Sequence, residues 1–378
     1  MENKRIIAKY DYYILSLYLV LMVFGLIMQL NISSVRTSMM FFYKQALWFI
    51  LSLFTVWFAF KIIDLQKLRK FIFLFVVFTI VLLVLVLIMG VTVKGGTRSI
   101  NIMGINIQPS LIARIVLVLY FAHILDKKKK EIPLSTPRGF LFRFSALIII
   151  PALIFFLILI EKHFTPLIIS SLTIISLLFL AKIRFSTIAI IFLIIVVTGL
   201  GVIKFGAKFR GERMDIYARY SLFHKVLGTD HEYESKRDYQ IKQSLISLAS
   251  GKIIGTGSKK GTGKHYFLPE AKTDYIFAII GEEYGFLGAL LILSLFAYLF
   301  IRCLINGSRS DSLFIQLVAY GLGMNIFFNA MVNIGVSMSA LPSTGVTLPF
   351  ISYGGTSLLV NSFAVGLLLN ASAVRRRI

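Results

Sequence analysis

The stretch "FIFLFVVFTIVLLVLVLIMGVT", residues 71–92, has no charged side chain, and its only polar residues are two threonines. Crossing the hydrocarbon of a bilayer takes about 20 apolar residues in a helix, because every backbone N–H and C=O has to be satisfied within the segment. A continuous run of this length, without polar alternation, reads as a spanning helix and not as a barrel strand. Comparable runs lie to either side, at 12–33, 45–63, 109–126, 142–160, 164–181, 186–205, 274–304, 312–338 and 353–373. Hydrophobic residues make up 57% of the 378, more than a soluble domain of this size carries. The expected fold is an all-α polytopic membrane protein of about ten transmembrane helices, built as one domain over 1–378 without an internal repeat.

The basic residues set the orientation. Lys4, Arg5 and Lys9 precede the first span, Lys67, Arg69 and Lys70 join spans two and three, and Lys127 to Lys130 follow the fourth. Lys182, Arg184, Arg302, Arg309 and Arg375 to Arg377 continue the pattern. With ten spans all of these fall on one side together with both termini, and that side is the cytoplasm. A net charge of +23 is explained by this bias, so it is no argument for nucleic acid. No cleavable signal is read at the N-terminus, where "MENKRIIAKYD" leads into an uncleaved first span. One cysteine, Cys303, excludes an intrachain disulfide.

Between spans seven and eight lies a long extracytoplasmic loop, 206–273. Its "DYQIKQSLISLAS", 238–250, has helical spacing, and "SGKIIGTGSKKGTGKH", 250–265, is rich in Gly and Lys. The second segment lacks the order of a Walker A loop. Two readings stay open for it: a solvated loop, or a backbone-and-lysine cradle for a phosphate group.

Three outer stretches carry the unusual residues. In "FLPEAKTDYIFAIIGEEYG", 267–285, Asp274 stands at the outer mouth of span eight with Glu270 and Lys272 beside it. A carboxylate there either favours the helix dipole or does chemistry. Glu282 and Glu283, two turns deeper and flanked by Gly281 and Gly285, read as a structural polar contact. In "NIGVSMSALPSTGVTLPFISYGGTSLLVN", 333–361, Pro342, Pro349, Gly345, Gly354 and Gly355 forbid a continuous helix. Backbone of that kind at membrane depth has to be buried in protein or line a watery cavity, and Ser352 and Ser357 add hydroxyls to it. In "KGGTRSINIMGINIQPSLIAR", 94–114, Arg98 and Arg114 are cations near the same interface. The five histidines show no metal-ligand spacing, and no nucleophile elbow is present.

These stretches, in this order on ten spans, resemble the SEDS family (shape, elongation, division and sporulation) of the RodA/FtsW type. "YFLPEAKTDYIFAIIGEEYGFLG", "NIGVSMSALPSTGVTLPFISYGGTSLL" and "IQPS" carry the resemblance, and the "LPEA" and "VTLPF" forms look closer to FtsW. The resemblance implies a peptidoglycan glycosyltransferase of the bacterial cytoplasmic membrane that polymerises lipid II at the outer face, for cell division or elongation. It implies a class B penicillin-binding transpeptidase and other divisome or elongasome membrane proteins as partners, and a divalent cation, Mg²⁺ or Mn²⁺. The family's catalytic aspartate falls on Asp274, as general base. Lys44, Arg98, Gln108, Arg114, Glu270, Lys272, Ser352, Gly354, Gly355 and Ser357 are candidates for substrate contacts. This chain departs from the family pattern at Leu111 and Arg114, where Glu and Lys are usual. It departs again at Lys162 and His163, in place of Pro-Asp, and at Lys272, in place of His. Two other readings remain: a flippase for the lipid-linked precursor, and a weakly catalytic scaffold of the division machinery.

Overall fold

The computed structural model describes residues 5–35, 39–93, 96–102, 105–131, 137, 139, 144–204, 216–217, 219–220, 236–258, 261, 263–264 and 268–377. Lys4, the basic residues Arg138 and Arg143 that also lie between spans four and five, and most of the 206–235 segment lie outside them.

Each of the ten expected spans falls on a helix. They are α1 (Tyr12–Val35), α2 (Met40–Lys61), α3 (Ile72–Met89), α4 (Pro109–Lys127), α5 (Ala146–Ile160), α6 (Phe164–Leu180) and α7 (Phe185–Lys204). After α8 (Lys236–Ser250), which covers the helical spacing read at 238–250, come α9 (Ile276–Ser308), α10 (Leu313–Ser337) and α11 (Gly355–Ser372). Among the described residues seven helices are long and apolar enough to cross a membrane, and α5, α6 and α7 are shorter apolar helices. The chain is a multi-pass membrane protein. Large side chains such as Phe73, Leu74, Phe179 and Phe185 are exposed on the outside of the bundle, where lipid replaces water and apolar exposure costs nothing. The centre belongs to α4 and α10, the most enclosed of the long spans. They approach closely where Gly321 of α10 faces Val118 of α4, since a Cβ there would meet the valine at 2.5 Å.

Two small sheets modify the all-α expectation. Between α3 and α4, residues 91–92, expected at the end of the third span, belong to a strand: β2 (Val91–Val93), β3 (Gly96–Ile102) and β4 (Ile105–Ile107) form an antiparallel meander, with Ile100 paired to Ile107. Its β-branched residues recur with period two, a signal that a 3.6-residue reading of the flanking spans masks. At the opposite end β1 (Arg5–Lys9) pairs antiparallel with β5 (Val374–Arg377), tying the two terminal segments together. Beside this ribbon Asp11 accepts from Arg302 Nη2 and Asn306 Nδ2, both at 2.6 Å, and its N–H donates to Ser372 Oγ.

The eighth span differs most from expectation. It is expected as one long helix from 274, but α9 starts at Ile276 and breaks at Gly285, whose φ of 68° and ψ of −166° are not helical. A break at membrane depth frees backbone groups that need protein partners. The turn after α8 supplies them. Thr256 and Gly257 donate to the Glu282 and Glu283 carbonyls at 2.9 and 3.1 Å, and Phe286 and Leu287 donate to the Lys252 and Ile253 carbonyls at 2.9 and 3.1 Å. The side chains extend the same joint. Gly263 N–H donates to both Glu282 carboxyl oxygens at 3.1 Å, and Lys264 Nζ lies 2.9 Å from Glu283 Oε1. Asn31 of α1 donates to Glu283 Oε2 at 2.5 Å, and the lysine also donates to the Ser258 carbonyl. The Gly/Lys-rich segment thus does cradle anions, and those anions are the protein's own carboxylates. The structural reading of Glu282 and Glu283 agrees with this.

Two stability outcomes follow for detergent-solubilised protein, read by thermal unfolding. Gly285→Ala loses about 1–3 kcal/mol, because a Cβ at this φ is strained and meets Gly255 N at 2.4 Å. Lys264→Met loses about 3–5 kcal/mol by stranding a buried carboxylate, and adding Glu283→Leu recovers much of that loss.

Candidate active site

Asp274 sits, half-buried, in the turn that runs from Leu268 into α9. The turn is fastened from within by Glu270, which holds a left-handed φ of 57°. Its carbonyl accepts from Thr273 N at 3.0 Å and Tyr275 N at 3.3 Å, and its carboxyl Oε2 accepts from Thr273 Oγ1 at 2.8 Å. The nearby acid therefore shapes the chain around Asp274.

The turn is fastened from outside by buried amides and one hydroxyl. Asn333 Nδ2 of α10 donates to the Asp274 carbonyl at 2.9 Å and to the Val346 carbonyl at 2.5 Å. Ser352 Oγ donates to the Thr273 carbonyl at 2.6 Å and accepts from Leu348 N at 2.8 Å. The Lys272 carbonyl accepts from Gln29 Nε2 of α1 at 3.0 Å and from Tyr353 N at 2.8 Å. Gln45 Nε2 of α2 reaches the Ser352 carbonyl at 3.4 Å. Three consecutive carbonyls, 272 to 274, are thereby bound by groups of α1, α10 and the proline-broken loop. Non-helical backbone buried at this depth needs such partners. Gln29, Gln45 and Asn333 were not among the residues expected from the sequence. The signal that points to them is an amide inside an otherwise apolar span.

The Asp274 side chain faces a gap over Gly345. With a φ of 72°, Gly345 leaves room where Asp274 Oδ2 and Arg98 Nη1 lie 3.6 and 3.9 Å from the place a Cβ would take. Arg98 is delivered by β3, so the meander has a purpose: it brings a cation to the acid. Lys272, two residues before Asp274, rests its ammonium 3.0 Å from the centroid of the Phe41 ring of α2.

The other expected residues sort by position. Gln108 precedes α4 in extended conformation and is half-buried. Arg114, one turn further along α4, is buried, makes no ion pair among the described residues, and has an Nε without a hydrogen-bond partner. The departures at Leu111 and His163 leave a different contact nearby, Ser110 Oγ with His163 Nδ1 at 2.8 Å. Ser357 pairs with Thr347 at 2.8 Å and so fixes the loop. Gly354 precedes α11, and Gly355 makes room for the Trp48 ring of α2, 2.2 Å from where its Cβ would be. Lys44 is exposed on the first turns of α2, and its neighbour Gln45 is the residue that reaches inward.

The described residues bring no three His, Cys, Asp or Glu side chains together. The carboxylates of Glu270, Glu282 and Glu283 are engaged by Thr273, Gly263 and Lys264. They offer the expected divalent cation no protein-built cage beside Asp274.

Residues 9–377 match the family described as cell cycle proteins, FtsW, RodA and SpoVE. The chain is 31% identical over 98% of both sequences to a protein named probable peptidoglycan glycosyltransferase FtsW from Coxiella burnetii. It is 32% identical, over 98% of this chain and 96% of the relative, to one of the same name from Geobacter metallireducens. Its fold matches a chain of a peptidoglycan synthase complex that coordinates polymerization and crosslinking, with a TM-score of 0.77 at 21% identity, over 96% of this chain and 97% of the other. It also matches the rod shape determining protein RodA of Thermus thermophilus, with a TM-score of 0.67 at 20% identity over 96% of each. The apolar spans, the proline-broken outer loop and the acid before α9 agree with this likeness along the whole length, and the chain belongs to the FtsW, RodA and SpoVE family of cell cycle proteins.

Proposed function

We propose that this protein is a peptidoglycan glycosyltransferase that polymerises lipid II at the outer face of the cytoplasmic membrane, with Asp274 as general base. The observation that carries the reading is the meeting of Asp274 and Arg98 over Gly345, at the end of the bundle opposite the paired terminal strands. One group there accepts a proton, and the other carries the charge needed to hold a diphosphate.

Chain extension joins an acceptor sugar hydroxyl to the anomeric carbon of a donor sugar held on a lipid diphosphate. The hydroxyl oxygen forms the new bond, the bond from the anomeric carbon to the diphosphate oxygen breaks, and the hydroxyl proton passes to Asp274. General base catalysis of such a step contributes about 10²–10⁴-fold. Negative charge builds on the departing diphosphate, and Arg98 stabilises it, because a guanidinium forks onto two phosphate oxygens. Lys272, held on Phe41, adds positive charge beside the turn. The bound carbonyls of 272–274 keep the base from moving as charge is redistributed. A divalent cation in this reaction is brought by the diphosphate, and no step above passes through it. A class B penicillin-binding transpeptidase that crosslinks the strands is the expected partner, with other membrane proteins of the division or elongation machinery around the pair. A flippase would need polar groups through the depth of the membrane, whereas the unusual residues here gather at one end.

The protein, purified with its transpeptidase and given labelled lipid II, makes glycan strands. Asp274→Asn lowers their rate at least about 100-fold and leaves thermal stability and partner binding intact. Unchanged polymerisation in that variant removes Asp274 from the reaction. Arg98→Ala lowers kcat at least as much as it raises KM for lipid II, because the charge it answers builds up in the transition state. Gly345→Ala lowers the rate without removing any functional group, because a methyl group enters the gap between acid and cation.

A further inference from the structure

The Lys272 ammonium has two aromatic rings beside it. Its Nζ lies 3.0 Å from the centroid of Phe41 and 5.9 Å from that of Tyr353. The two rings brace each other edge to face, with centroids 5.6 Å apart and planes at 89°. The backbone of the lysine is fixed as well, because its carbonyl accepts from Tyr353 N at 2.8 Å and from Gln29 Nε2 at 3.0 Å. Both ends of the residue are therefore set, the carbonyl by hydrogen bonds and the ammonium by rings.

Phe41 comes from the first turn of α2, and the spacing along that helix explains its direction. Phe41, Gln45 and Trp48 stand at i, i+4 and i+7, which makes them one stripe of α2. Each meets a different part of the outer site: Phe41 the lysine, Gln45 the Ser352 carbonyl, and Trp48 the space left by Gly355. Phe41 is half-buried, whereas Met40 and Tyr43 on either side are exposed. An aromatic face attracts a cation through its quadrupole and carries no net charge of its own. A carboxylate in the place of the ring would cancel the charge of the lysine. The ring holds the ammonium and leaves that charge, with the N–H donors that point away from the ring, to an anion.

We propose that Phe41 is a positioning residue that holds Lys272, still charged, as a second cation for the lipid diphosphate in addition to Arg98. A lysine is a point charge on a flexible four-carbon stem, and ordering that stem opposes binding. The Phe41 ring orders it before the diphosphate arrives. The assignment rests on the polymerase reading for its effect on the substrate, and on the ring geometry alone for the holding of Lys272.

The test is a series of full-length proteins in which Phe41 is replaced by mono-, di- and trifluorophenylalanine. Fluorine keeps the shape of the ring and drains the negative charge from its face. Phe41→Leu, which removes the ring, extends the series. The first readout is acylation of Lys272 by a succinimidyl ester, followed by peptide mass spectrometry with the exposed Lys44 as reference. A ring that covers the ammonium slows this reaction, so the rate at Lys272 rises stepwise along the series, by about tenfold at its end. A rate that ignores the series overturns the holding of Lys272 by Phe41. The second readout is lipid II polymerisation, where kcat/KM falls along the same series to about one tenth while thermal stability of the fluorinated proteins stays the same. Polymerisation that ignores the series while acylation follows it overturns the role in the reaction. Should the wild type make no glycan, the polymerase reading falls and inorganic diphosphate decides the anion site alone. Diphosphate that slows Lys272 acylation in the wild type, and slows it less in the trifluorinated protein, upholds the site. Absence of such protection overturns it.

Discussion

The hydrogen bonds of Gln29, Ser352 and Asn333 to the carbonyls of residues 272–274, with Gln45 bound in turn to the Ser352 carbonyl, are the constraint on which the outer half of the molecule depends. Inside a bilayer an irregular segment has no water to satisfy it, so the loop before α11 and the turn before α9 exist only because protein groups bind them. Those groups come from α1, α2 and α10, and the acid is located by four parts of the chain that are far apart in sequence. The arrangement places the flexible chemistry of a turn on the rigidity of a bundle.

The break in α9 obeys the same rule by another route. Gly285 cannot continue the helix, and the freed carbonyls and N–H groups are met by the 252–257 turn as a ladder of backbone hydrogen bonds. The glycines of the Gly/Lys-rich segment matter here for closeness: a Cβ on Gly255 would lie 2.2 Å from the Glu283 carbonyl oxygen. The buried Lys264–Glu283 pair has little net value as an attraction, but it fixes which loop residues meet which part of α9. The outer loop is thus anchored to the helix that begins beside Asp274.

How much of this was legible in the sequence depends on the kind of signal each element leaves. The spans were legible because an apolar run of bilayer length has few other readings, and the proline-broken loop because Pro342 and Pro349 forbid helix. Asp274 was legible as an acid where acids are costly, supported by the family resemblance. The kink was not, since Gly285 inside an apolar run also reads as a close helix contact. Lys264 as the partner of Glu283 was hidden because a pairing across 19 residues leaves no period. Gln29, Gln45 and Asn333 were hidden because a single amide in a span forms no motif.

The pairing of β1 with β5 has a consequence for how the protein is made. A ribosome delivers the first strand long before the last. Residues 5–9 have to wait at the membrane surface while all of the spanning helices are threaded, and the Ser372 hydroxyl that receives the Asp11 N–H comes equally late. The ribbon acts as a clasp that closes when assembly is complete. A chain that has lost its final residues leaves its first strand with an unpaired edge, open to pairing with another chain.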